Sequence, residues 1–119
     1  MIILKSRDEI ELMREAGAAT GEILDRLAAF IEPGMTTWDV DAFVEEQIRL
    51  RKMRPAFKGY NGFPASACVS VNREVVHGIP SRERVLAAGD IVSIDLGTIH
   101  RGYYSDAART YPVGPVDPD

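Results

Sequence analysis

The chain has 119 residues and a single cysteine, Cys68, so no internal disulfide can form. A chain without disulfides suits a reducing compartment, and a cytoplasmic location is expected. Positive charge is also in short supply: 14 Lys and Arg stand against 18 Asp and Glu, for a formal net charge of -4. That balance offers no basic field to nucleic acid. No apolar run approaches membrane-spanning length, and Met1-Ile2-Ile3-Leu4 is too short for a signal-peptide core. A soluble protein with no membrane partner is expected. Internal repeats and low-complexity segments are missing. The one basic cluster, Arg49, Arg51, Lys52 and Arg54, falls at the end of a predicted helix, where cations complement the helix dipole.

What remains is ordinary for a globular protein. The sequence is 45% hydrophobic and 27% charged, and its length fits one domain over residues 1–119. Ser6-Arg7-Asp8-Glu9 is a capping box. Ile10, Met13, Gly17, Leu24, Leu27 and Ile31 then recur at helical spacing, opposite Glu11, Arg14, Glu22 and Asp25. Pro33-Gly34 ends that helix. Thr36 or Thr37 caps a second, with Val40, Phe43, Val44 and Ile48 as its buried stripe and Asp41, Glu45, Glu46 and Arg49 on its exposed face. Ala67 to Asn72 alternates and is rich in β formers, so it reads as a strand. Two amphipathic helices followed by antiparallel strands give an α+β fold with the helices packed on the sheet.

The chemistry concentrates in Ile91 to Tyr111. Ile91 to Leu96 is an apolar strand interrupted by Asp95, and a second strand starting near Tyr103 carries Asp106, with Gly97 to Gly102 as the turn. A turn centred on His100-Arg101 sets Asp95 directly opposite Asp106, about 4.5–5.5 Å apart at Cβ. Two charges about 4 Å apart repel by about 4 kcal/mol at an effective dielectric near 20. A shared proton or a bound cation relieves this, and hard divalent ions take carboxylate ligands. Two solvated aspartates on a surface hairpin are the plainer alternative. A bulge at Gly102 would shift the register by one and keep the carboxylates close.

Two further segments bear on a site. Ala56 to Pro64 packs two glycines, a proline and three aromatics into a shaped loop, whose rings either line an apolar pocket or plug the core. His77, just before Gly78, is either a hydrogen-bonded structural residue or, facing the aspartates, a proton-transfer group. The chain closes on Asp117-Pro118-Asp119, an acidic cap and a first-turn proline with no helix after them, the pattern expected of a truncated chain, with a naturally frayed tail as the alternative.

The run Cys68-Val69-Ser70-Val71-Asn72-Arg73-Glu74-Val75-Val76-His77-Gly78-Ile79-Pro80 resembles the signature of type I methionine aminopeptidases. The resemblance extends to Gly89 through Asp95, Gly102 through Asp106, Pro55 through Tyr60 and Arg7 through Met13. It implies half of a pita-bread fold, in which two similar α+β halves flank a dinuclear metal site. It implies Asp95 and Asp106 as metal ligands, with Asp106 bridging two divalent ions (Co, Mn, Fe or Mg). His77 would contact substrate and stabilise the reacting amide as a catalytic residue. Tyr60, Phe63 and Cys68 would wall the pocket for the methionine side chain. The implied activity is removal of the initiator methionine from nascent peptides.

The departure from the family is equally plain. The only other histidine, His100, matches no family ligand, and the histidine and two glutamates expected from a second half are missing from this chain. Weak activity or none is therefore expected of the chain alone. The alternative is a non-catalytic, metal-binding half-domain that self-associates. A homodimer that mimics the full fold is expected, because the family fold is itself pseudo-symmetric and twofold dimers are common.

Overall fold

The chain's architecture was taken from a computed structural model, which describes residues 6–72 and 78–114. The first helix, α1 (Arg7–Phe30), starts where the Ser6 side chain accepts a hydrogen bond from the Glu9 amide. The second, α2 (Thr37–Leu50), starts in a complete capping box between Thr36 and Asp39. Arg51, just past its end, pairs with Glu22 of α1 at 3.3 Å, so this member of the basic cluster is engaged within the fold.

Among the described residues four strands follow: β1 (Arg54–Pro55), β2 (Ala67–Val71), β3 (Ile91–His100) and β4 (Tyr103–Pro112). All pairings are antiparallel, as expected. β3 lies centrally, with β4 along one edge and β1 and β2 sharing the other. Val92, Ile94 and Leu96 of β3 and Ala67, Val69 and Val71 of β2 are buried on one face. Ile23, Leu24 and Leu27 of α1 and Val40, Val44 and Ile48 of α2 complete that core. The opposite sheet face is covered by neither helix.

Three expectations about side-chain placement are corrected. Ile10, Met13 and Gly17 are exposed, and the buried stripe of α1 begins at Ala16. Small residues there allow close approach to the sheet: Thr20 Oγ1 lies 3.1 Å from Thr98 Oγ1, and both hydroxyls reach the Ala16 carbonyl. Phe43 is only half-buried, stacked on Phe30 with ring centroids 4.0 Å apart. Asp41, assigned to the exposed face of α2, is 7% exposed. Its Oδ1 accepts hydrogen bonds from the Ser66 and Ala67 amides, both at 2.8 Å, where β2 begins. A carboxylate can enter the fold there because it meets donors that would otherwise be unsatisfied.

Burial raises the Asp41 pKa above its ordinary 3.8 and outweighs the two amide hydrogen bonds. The native state therefore holds the Asp41 proton more tightly than the unfolded chain does. Its contribution to stability is full below about 3.8 and declines as pH rises through the raised native value. Glu45 is held low, chiefly by its hydrogen bond with Lys58, and works in the opposite sense as pH falls below about 4.5. Urea midpoints of the parent and Asp41→Asn, compared between about pH 3.5 and 7, should converge or cross as pH rises. A difference independent of pH would contradict this.

Candidate metal and pocket site

Alternation along β3 decides what faces the open side of the sheet. With Val92, Ile94 and Leu96 committed to the core, Ser93 and Asp95 must point the other way. Cys68 of β2 is the cross-strand partner of Asp95, and Ser70 of Ser93, so they join the same face. On β4, Asp106, Ala108 and Thr110 do the same.

The hairpin differs from expectation. β3 continues through Gly97 to His100, and the loop is only Arg101-Gly102, both with positive φ (51° and 87°). Positive φ at both central residues is the pattern of the tight turn that matches strand twist, and Gly102 adopts it without strain. Asp95 therefore pairs with Ala108, and Asp106 with Gly97. The aspartates are diagonal neighbours on one face, typically about 7–8 Å apart. Both are exposed, so at about 7 Å in water they repel by only about 0.6 kcal/mol. Repulsion does not force a counterion between them. The diagonal still leaves both carboxylates within reach of one ion or an adjacent pair.

Their oxygen chemistry suits a hard divalent ion, which takes about six to eight such ligands. Among the described residues, no group of three or more His, Cys, Asp and Glu is placed to hold a metal ion. Two carboxylates do not complete such a site: were Asp95 and Asp106 ligands, the remaining ones would have to come from elsewhere. His77 lies outside the described residues. His100, at the end of β3, faces α1, with Nε2 2.5 Å from a Glu15 carboxylate oxygen, well apart in register from Asp95.

The loop between β1 and β2 brings Tyr60, Phe63 and Cys68 together. Tyr60–Gly62 forms one 3₁₀ turn, closed by a Phe63 N–H to Tyr60 carbonyl hydrogen bond of 2.9 Å. The Phe57 and Phe63 rings meet edge to face at 6.4 Å. Together with Pro64 and Ile79 these residues line a cavity of about 430 Å³. A smaller hollow of about 310 Å³ shares Phe57 and Tyr60 and reaches Asp106. The rings are thus pocket walls in this fold rather than core plugs. Burial, and then the Asp95 charge, push the Cys68 thiol pKa up, so the wall presents a neutral thiol. Phe57 and Pro64 belong to the shaped loop read from the sequence, Phe57 as one of its three rings, whereas Ile79 carried no signal as a wall residue.

Gly97 lets the loop sit this close. A Cβ there would lie 2.9 Å from Phe57 Cε1 and 3.0 Å from Ala56 Cβ. The residue opposite Asp106 therefore has to be small for Phe57 to form the wall that both hollows share.

Residues 11–119 match the family model described as metallopeptidase family M24. A methionine aminopeptidase of Clostridium acetobutylicum is 53% identical over 116 residues, 98% of this chain and 46% of that protein. The crystal structure of a methionine aminopeptidase from Thermotoga maritima superposes with a TM-score of 0.89 at 48% identity, over 99% of this chain and 47% of that one. A dipeptidase from Mycobacterium ulcerans has a TM-score of 0.78 at 32% identity, over 99% of this chain and 30% of that one. The chain spans about half the length of the curated relatives it matches, and its architecture corresponds to about half of their pita-bread fold.

Gly97→Ala should cost about 1–3 kcal/mol by overpacking and displace the Phe57 ring. Urea denaturation and the Phe57 ring resonances check this; an unchanged midpoint and unmoved resonances would contradict the packing account.

Proposed function

The chain belongs to metallopeptidase family M24, and we propose that it carries half of a methionine aminopeptidase site. One observation carries this reading. The cavity lined by Tyr60, Phe63 and Cys68 opens on the sheet face that bears Asp95 and Asp106. A pocket for one side chain beside a pair of metal-ligating carboxylates is what removal of a single N-terminal residue requires.

The residues divide the work. The cavity takes the methionine side chain, whose thioether makes favourable contacts with aromatic rings and adapts to irregular walls. The protonated Cys68 thiol adds a soft, uncharged surface. Asp95 and Asp106 would hold divalent ions (Co, Mn, Fe or Mg). When bound, such ions polarise the scissile carbonyl and lower the pKa of a water molecule. His77 contacts the substrate and stabilises the reacting amide. The substrate is the initiator methionine of a nascent peptide, in the cytoplasm. No described helix is long and apolar enough to cross a membrane.

A second reading describes the 119-residue chain by itself. No group of three or more candidate ligands occurs among the described residues, and the chain matches only 46% of its relative's length. On its own it is a metal-binding half-domain with weak turnover or none, and it self-associates through the open sheet face. A twofold dimer would gather four carboxylates around two divalent ions, with balanced charge.

Methionine release from a Met-Ala-Ser peptide, with Mn or Co present, tests the first reading. Slow, metal-dependent release by the parent should fall by about 100-fold or more in Asp95→Ala, since even outer-shell changes cost up to about that much. Measurable and equal release by both proteins would reject Asp95 as a ligand; no release by either would reject the first reading for this chain alone. Native mass at several concentrations tests the dimer; a monomer throughout, with and without metal, would reject it.

A further inference from the structure

The loop over 56–66 supplies most of the cavity wall, yet the groups that fix it in place lie outside the cavity, on α2. Lys58, between the wall residues Phe57 and Tyr60, sets its Nζ 2.6 Å from Glu45 Oε1. At the far end of the loop, Ser66 Oγ donates to that same Glu45 oxygen at 2.9 Å. One carboxylate oxygen therefore joins the two ends of the segment that carries Tyr60, Phe63 and Pro64. One helical turn earlier, on the same face of α2, Asp41 Oδ1 fixes the Ser66 and Ala67 amides.

We propose that Glu45 and Asp41 are positioning residues that set the shape of the thioether cavity by clamping both ends of the aromatic loop to α2. This rests on the reading of that cavity as the methionine side-chain pocket, and it assigns the pocket's selectivity to residues that do not line it.

The division of labour between the two carboxylates follows from exposure. Asp41 is nearly sealed and meets backbone amides, so its loss disturbs the start of β2 as well as the loop. The Glu45 and Lys58 side chains are 27% and 46% exposed. Partly exposed ion pairs contribute little to global stability. What the Glu45 contact supplies is geometry. The loop's own hydrogen bonds are local, such as Gly59 N–H to the Phe63 carbonyl at 2.8 Å. They close the turn and leave its tilt over the sheet to be set from outside. Beyond the Ala56 amide, which donates to the Gly97 carbonyl at 3.0 Å, the ties to α2 supply that setting.

The test uses Glu45→Ala, with Glu45→Gln as the conservative variant that still offers an oxygen to Lys58 Nζ and Ser66 Oγ. Two quantities are read by NMR on each labelled protein: the Phe57–Phe63 ring-to-ring Overhauser contact, and the dissociation constant of L-methioninamide from its shifts of the Gly62, Cys68 and Ile79 amides. Glu45→Ala should stay folded with a modestly lowered thermal midpoint, lose or weaken the ring contact, and bind methioninamide about fivefold more weakly, the equivalent of one typical hydrogen bond. Glu45→Gln should restore affinity to within about twofold of the parent. An unchanged ring contact in Glu45→Ala overturns the positioning role, whatever the affinity. Equal methioninamide affinity in parent and Glu45→Ala overturns its effect on the pocket. A parent that shows no methioninamide shifts rejects the thioether reading itself, and the ring contact then still decides whether Glu45 positions the loop.

Discussion

One-sided burial of β3 is the constraint on which the rest depends. Val92, Ile94 and Leu96 fill the core beneath two helices, and their partners on β2 (Val71, Val69 and Ala67) are buried with them, as is Tyr111 on β4. A slip of one residue would send Asp95 into the core and Ile94 into water, so the register is strongly specified. That specification places Asp95, Asp106, Cys68 and Ser70 on one open face without any of them contributing to the core. The site can therefore be built from groups that would be costly to bury.

A second layer of organisation sits on the first. β1 and β2 share one edge of β3, and the chain between them has to arch over the sheet face. The arch carries the aromatic wall, and Gly97 gives it room to come down against β3. The core-facing stripe of α2 fixes that helix, and its next face presents Asp41 and Glu45 to the arch. Core packing thus sets the pocket indirectly, through carboxylates held by a well-packed helix.

Much of this was legible in the sequence. The Ser6 cap, the α2 start at one of two threonines (Thr36 in the structure), Val40, Val44 and Ile48 of the α2 stripe and the alternation from Ala67 to Val71 each follow from local chemistry. Composition marked the aromatic loop as shaped, but left open whether its rings wall a pocket or plug the core, which the packing of Phe57 on Gly97 and Phe63 decides. Three features were not legible. Asp41 reads as one more surface acid, because the amides that draw it inward lie 25 residues away in the chain. The hairpin register turned on Arg101 adopting a positive φ, which a bulky side chain rarely does. Residues in the first turns of α1 have core spacing, but the helix makes its close approach to the sheet later, at Ala16 and Thr20.

Asp95 and Asp106 as metal ligands on the open face are the centre of the account, and Mn(II) added to the 15N-labelled protein examines them most directly. Paramagnetic broadening should appear first at the amides of Asp95, Asp106, Ala108 and Cys68, and disappear in Asp95→Ala. Broadening centred instead on Asp41 and Glu45 of α2, or surviving unchanged in Asp95→Ala, would contradict it.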